Sequence, residues 1–147
     1  MEKMAELKPG IRGEQKALVT AEMAINFLGQ EDARVLATPY LVALLEMTAR
    51  NSVKEVLDPG FDTVGTELCI KHLAATPMGM HVTLRSELLE VDGRRVRFRV
   101  EAFDEKEKIA EGSHERFVVN IERFAARLRE KRMAVDRKET DSPSGSR

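Results

Sequence analysis

The sequence predicts an α+β fold in which an antiparallel five-stranded sheet wraps around one long central helix, with an additional helix at the C-terminus. Three observations carry that expectation. The apolar segment from Ala37 to Leu57 has marked helix boundaries; three long stretches of alternating polarity follow it between turn signals; and a short amphipathic stripe lies near the end of the chain.

The helix comes first, because the rest is arranged about it. Thr38 can cap its start by accepting a bond from a free backbone N–H, and Pro39 suits the first helical position, where its missing donor would be unpaired in any case. From Tyr40 to Met47 every residue is apolar except Glu46, and from Thr48 onward polar residues interleave with Ala49, Val53, Val56 and Leu57 at helical spacing. The first half is therefore expected to be buried all round. Asp58-Pro59-Gly60 ends the helix, since proline cannot continue the ladder and glycine tolerates the reversing backbone.

The remaining elements follow in order. Residues 1 to 16 are mixed and charged with a turn at Pro9-Gly10, and read as a loose lead-in. Val19, Ala21, Met23, Ile25 and Phe27 alternate with more polar neighbours, which predicts the first strand. Gly29 to Arg34 is a short polar connection to the helix. After the helix, Gly65 to Leu73 reads as a second strand, Met80 to Val91 as a third, Arg95 to Phe103 as a fourth and Lys108 to Asn120 as a fifth. Asp92-Gly93 is a hairpin signal, because a tight turn matching strand twist needs positive φ, and the last three strands form an antiparallel meander. Asn120 caps a final helix whose stripe is Ile121, Phe124, Ala125 and Leu128. From about Ala134 the chain has nothing to bury, so one domain over residues 1–133 and a disordered tail over 134–147 are expected.

Composition narrows the function classes. The chain has 147 residues, 42% apolar and 33% charged, which suits one core. A formal net charge of -1 gives no case for a wholesale nucleic-acid or anionic-membrane surface. A single cysteine, Cys69, fits a reducing compartment, and the charged N-terminus has neither the apolar run of a signal peptide nor that of a membrane span, so a cytoplasmic protein is expected. A five-stranded sheet cannot enclose a helix and also hide its own edges, so a second copy of the chain is the expected cover.

At this point the residues carry a resemblance. The runs VLATPYLVALLE, VGTELCIKHLAATPMG and EGSHERFVVNIERFAARLREK resemble the hotdog-fold acyl-CoA thioesterases, most closely the fluoroacetyl-CoA thioesterase family, over roughly residues 35 to 132. In that family a threonine at the helix start, a glutamate eight residues on, a glycine opening the next strand, a histidine seven further and an arginine in the last strand form the site; here those positions hold Thr38, Glu46, Gly65, His72 and Arg116. The resemblance implies hydrolysis of an acyl-CoA thioester by a homodimer without a cofactor. Thr38, Glu46 and His72 would be the catalytic set, with the Gly65 amide and Arg116 contacting the substrate. Fluoroacyl-selective members carry phenylalanines in the loop before the central helix, whereas the connection here, GQEDAR, has no aromatic; a small or medium acyl group, crowded by Met47 and Met78, is the expectation.

The residue types suit that chemistry. Thioester hydrolysis needs a nucleophile or activated water, a base with pKa near working pH, and donors aimed at the developing oxyanion. Glu46 can attack or orient water, His72 can take a proton at neutral pH, and Gly65 can present an unobstructed N–H. Each also has a structural reading. Thr38 can be a cap only, Glu46 can pair with Arg50 one turn on, His72 can be an ordinary strand histidine, and Arg116 can pair with Glu111 or Glu115.

His81 and His114 read as structural or surface groups, and the histidine spacing is not that of a metal site. Cys69 and His72 lie three apart, on opposite faces of a regular strand, so they do not form a nucleophile–base pair. No G-x-S-x-G elbow, G-x-G-x-x-G or P-loop is present. For CoA phosphates, basic groups are available on Arg94, Arg95, Arg97 and Arg99, or on Arg123, Arg127 and Lys131.

Eight residues of helix span about 12 Å and about 80° of rotation, too far for Thr38 and Glu46 of one helix to bridge by a hydrogen bond. A site composed from two protomers is therefore expected. Two other readings fit the same elements: a hotdog hydratase or dehydratase, and a non-catalytic acyl-CoA or acyl-carrier binding dimer.

Overall fold

The computed structural model describes residues 7–141, with side chains through Lys138. Its elements in chain order are β1 (Arg12–Leu18), β2 (Ala24–Ile25), β3 (Val35–Leu36), α1 (Thr38–Lys54), β4 (Phe61–His72), β5 (His81–Asp92), β6 (Arg95–Phe103), β7 (Lys108–Asn120) and α2 (Ile121–Asp141). The five long strands form an antiparallel sheet in the order β1-β5-β6-β7-β4, while β2 and β3 make a separate two-stranded pair. The expected sheet around one long helix is therefore present, with the additional C-terminal helix.

The core lies between α1 and the concave face of the sheet. Leu41, Leu45, Ala49 and Val53 are all at 0% exposure and form one stripe on α1. They meet Leu84, Leu88, Val96, Phe98 and Val100, the inward positions of β5 and β6. The opposite side of α1 is bare: Tyr40 is 39% and Met47 46% exposed. Burial of the helix all round is thus corrected for the single chain, because the sheet covers only one of its faces.

The first strand also differs from the expectation. The sheet opens with Arg12–Leu18, pairing residue by residue with β5, and not with Val19–Phe27. The inward positions of β1 are Gly13, Gln15 and Ala17, small or polar, so the strand lacks the apolar alternation that marks a half-buried strand. A Cβ at Gly13 would come within 2.8 Å of Ser52 Cβ and the Thr48 carbonyl oxygen, so glycine there lets β1 approach α1 closely. Residues 19–27 instead contain a short 3-10 turn and β2, which ends at Ile25. The connection to α1 therefore begins at Asn26 and includes an aromatic, Phe27, 87% exposed; the expected aromatic-free linker is corrected accordingly.

At the β5–β6 hairpin, Asp92 pairs with Arg95, so the turn residues are Gly93 and Arg94. Only Gly93 takes a positive φ, 64°. Asn120 caps α2 as expected, its Oδ1 accepting from the Arg123 N–H at 3.0 Å. Residues 134–141, assigned from sequence to the tail, continue α2 in the structure, where an Arg132–Asp136 pair one turn apart supports the helix; residues 142–147 lie outside the described residues. Among the described residues no helix is long and apolar enough to cross a membrane.

Candidate active site

The site is built on the seam between α1 and β4, and a β-bulge makes it possible. Gly65 and His72 are seven residues apart, an odd offset that puts two side chains on opposite faces of a regular strand. In β4 the pairing with β7 shifts between Gly65 and Glu67. The extra residue reverses the alternation, so that both Gly65 and His72 face α1.

At the N-terminal end of α1, Thr38 makes no capping bond; the cap position is Ala37, in extended backbone. The Thr38 hydroxyl instead meets His72 Nδ1 at 2.8 Å. The Tyr40 and Leu41 N–H groups that a Thr38 cap would serve both donate to the Ala37 carbonyl oxygen, at 3.0 Å each. His72 is half-buried, its Nε2 is enclosed and has no hydrogen-bond partner among the described residues, and burial holds its pKa below 6.5. The imidazole is therefore neutral at pH 7 with one ring nitrogen engaged and the other unused.

The second cluster lies further along the helix. Glu46 does not pair with Arg50, which forks onto Asp62 with Nε–Oδ1 at 3.0 Å; Asp62 is held below the usual carboxylate range, first by that guanidinium. Nor does Arg116 pair with Glu111 or Glu115, which engage Lys108 and Arg95 with Arg97, respectively. Arg116 points inward instead. Its Nε donates to Thr63 Oγ1 at 2.6 Å, its Nη2 to the Thr63 carbonyl at 2.7 Å, and its Nη1 reaches Glu46 Oε2 at 3.5 Å. The guanidinium is 7% exposed and the Glu46 side chain 40%, so a fixed buried cation carries an accessible carboxylate. Burial lowers the Arg116 pKa, opposed by Glu46 and Asp62, and the group stays charged at neutral pH. The enclosed carboxylate expected from the apolar run is corrected: α1 buries its other face, and Glu46 faces outward at the edge of the bare stripe.

Gly65 belongs to this cluster. A Cβ built there overlaps Glu46 Oε2 and comes within 3.3 Å of His114 Cε1 and 3.4 Å of Arg116 Nη1. The carboxylate thus occupies the space that any side chain at this position would fill.

His114, read from sequence as structural or surface, sits inside the same cluster at 2% exposure. Its Nδ1 lies 2.8 Å from the Glu67 carbonyl oxygen, so Nδ1 carries the proton, and Nε2 accepts from Arg116 Nη1 at 3.2 Å. The signal was present in His114-Glu115-Arg116: two positions on the same strand face, the second shared with a substrate-contact candidate. Burial lowers its pKa from 6.5, with Arg116 adding to that and the Glu67 carbonyl and Glu46 opposing.

A pH dependence of stability follows. His72 and His114 are both held neutral below the unfolded-state value of 6.5. The unfolded chain therefore binds more protons just below that pH, and stability present above it is lost as pH falls toward the depressed folded values. The urea midpoint is expected to drop between about pH 7.5 and about pH 5.5, and to drop less in His114→Gln, whose amide keeps a donor and an acceptor without titrating. Equal drops in the two proteins would remove His114 from this account.

The two clusters are separate within one chain. Thr38 and Glu46 are about 12 Å apart along α1, and Gly65 and His72 are about 23 Å apart along β4. Thr38 meets His72, and Glu46 meets Gly65, Arg116 and His114; neither set reaches the other by any hydrogen bond or ion pair among the described residues.

Comparisons with known proteins bear on the fold and on the class of activity. The family model described as fluoroacetyl-CoA-specific thioesterase matches residues 19–122. The fluoroacetyl-CoA thioesterase of Streptantibioticus cattleyicolor is 42% identical over 69% of this chain and 73% of its own length. A crystal structure of a mutant of the fluoroacetyl-CoA-specific thioesterase FlK in complex with fluoroacetate and CoA is similar with a TM-score of 0.73 at 35% identity, covering 80% of this chain and 99% of that one. A Thermus thermophilus protein described as a thioesterase superfamily member gives a TM-score of 0.82 at 26% identity, covering 90% and 98%. On the matched span and the hotdog architecture together, the chain belongs to the fluoroacetyl-CoA-specific thioesterase family and is a thioester hydrolase.

Proposed function

We propose that the protein hydrolyses small or medium acyl-CoA thioesters at two composite sites of a homodimer, each formed by Thr38 and His72 of one subunit with Glu46, Gly65 and Arg116 of the other. The observation that carries this reading is the Thr38–His72 hydrogen bond of 2.8 Å beside an enclosed, unpartnered Nε2. Two further features support a second copy. Strand β4 is a twelve-residue edge of the sheet, and the exposed Tyr40 and Met47 lie on α1, which packs against it. Both are surfaces that a two-fold partner covers with the same surfaces of its own.

The chemistry follows from the groups present. Adding water across the C–S bond gives a carboxylic acid and a thiol, and the proton that water releases must reach the departing sulfur. Neutral His72 takes that proton at Nδ1 by way of the Thr38 hydroxyl bonded to it, and returns it to the sulfur by the same route. Glu46 supplies negative charge beside the carbonyl carbon, and the cation of Arg116 steadies Glu46 and the substrate's polar end. Of the two methionines expected to crowd the acyl group, Met47 is exposed on the bare face of α1 beside Glu46, while Met78 packs against the core.

Thiol release from a panel of acyl-CoAs of increasing chain length tests the reading. Turnover of short and medium chains, with the protein sedimenting as a dimer, is the expected result. Binding without release would favour the non-catalytic acyl-CoA dimer, and a change at the acyl chain without thiol release would favour a hydratase.

A further inference from the structure

The cations available for phosphate contacts fall into two groups once their partners are known. Arg95 and Arg97 are paired with Glu115, and Arg97 also with Glu90, while Arg99 is paired with Glu87. These form a self-neutralised ladder on the convex face of the sheet. Arg94, Arg123 and Arg127 differ. They line one groove of about 260 Å³ together with Phe117 and Asn120, and no carboxylate lines it. Among the described residues none of the three has an ion-pair partner; Arg94 makes a single long bond, 3.4 Å, to the Val118 carbonyl.

The fold brings them together by short steps. Arg94 is the second residue of the β5–β6 turn, which lies beside β7 through the Arg95–Phe117 pairing. Arg123 and Arg127 are one turn apart on α2, which begins directly after β7, and so share a helix face. Three like charges in one concavity repel one another unless an anion is present. Guanidinium groups suit phosphate oxygens in particular, by paired parallel donors. Phe117, 37% exposed, adds an apolar ring of the kind on which a base stacks.

We propose that this groove binds the 3′-phosphorylated adenosine diphosphate end of an acyl-CoA. The proposal rests on the acyl-CoA reading above and deepens it by assigning the nucleotide end of that substrate. Its position agrees. Arg116, next to Phe117, faces the Glu46 cluster on the other side of the sheet, and the groove lies about 13 Å further along β7 at Asn120, around the end of the sheet from the thioester site. Two of the three arginines lie beyond residue 122, where the family match ends.

Adenosine 3′,5′-bisphosphate is the probe, titrated calorimetrically into the full chain and into an Arg123→Ala/Arg127→Ala variant; both arginines are exposed, so the fold is not at risk. Affinity is expected to fall by about tenfold or more in the variant. The KM for an acyl-CoA divided by the KM for the same acyl group on pantetheine is expected to rise by a similar factor. Equal bisphosphate affinity in the two proteins overturns the proposal. Inorganic phosphate competing as tightly as the bisphosphate also overturns it, leaving a simple anion site. A protein that binds the bisphosphate through these arginines and releases no thiol would defeat the hydrolase reading alone, whereas an active protein indifferent to the substitutions would defeat this proposal alone.

Discussion

His72→Ala and Glu46→Gln are each expected to lower kcat/KM for the best acyl-CoA by about a thousandfold, with the far-UV spectrum and unfolding transition kept. His72 is half-buried and among the described residues its side chain bonds Thr38 alone, so its loss removes the proton carrier without opening the core. Glu46→Gln keeps shape and hydrogen bonding toward Arg116 and removes only charge. Co-expressing the two variants gives the sharper result. In a hybrid dimer one composite site has lost both groups and the other has lost neither. With random assembly half the dimers are hybrids, so about a quarter of wild-type activity is expected to return. Demonstrated hybrids with no recovered activity would show that each site is built within one chain.

Gly65→Ala is expected to lower kcat/KM by about a hundredfold while leaving KM for the CoA portion nearly unchanged. The backbone at this position is not in the left-handed region, so alanine is tolerated conformationally. The effect comes from space: the new methyl lies where Glu46 Oε2 now sits, with His114 Cε1 at 3.3 Å and Arg116 Nη1 at 3.4 Å leaving no second position on that side. The carboxylate must swing away from Arg116 toward solvent. Misplacement of a reacting group by about 1 Å is enough for a loss of that size. Alanine at 65 with full activity would mean that the carboxylate acts from a position other than the one it occupies here.

These expectations depend on pairings that the linear sequence leaves open. Glu46 has Arg50 one helical turn away, where local spacing favours a pair, and Arg116 has Glu111 and Glu115 near it in the sequence. None of these pairs forms. Asp62 comes from β4 to take Arg50, and Arg95 and Arg97 of β6 take Glu115, which leaves Arg116 to turn inward onto Thr63 and Glu46. The same holds for His114, whose position between Arg116 and the Glu67 carbonyl is set by the pairing of β7 with β4.

Much was legible without coordinates. The place of α1 in the chain, though it is capped at Ala37 and ends at Lys54 and not at Leu57, the strands from Arg95 to Phe103 and Lys108 to Asn120, and the cap at Asn120 follow from apolar period and turn chemistry, which are local and written in the chain. So was the candidacy of Thr38, Glu46, Gly65, His72 and Arg116, through the resemblance of their spacing. Strand β1 was not legible, because an edge strand facing a helix through glycine carries no apolar signal. Nor was the bulge after Gly65, since a register shift depends on which partner residue each backbone group finds. Sequence alone determined which residues have the right chemistry and roughly which elements carry them. Only the tertiary structure decided that Gly65 and His72 face the same way, that Thr38 meets His72, and that His114 supports Arg116 beside Glu46, because each depends on distances between segments remote in sequence.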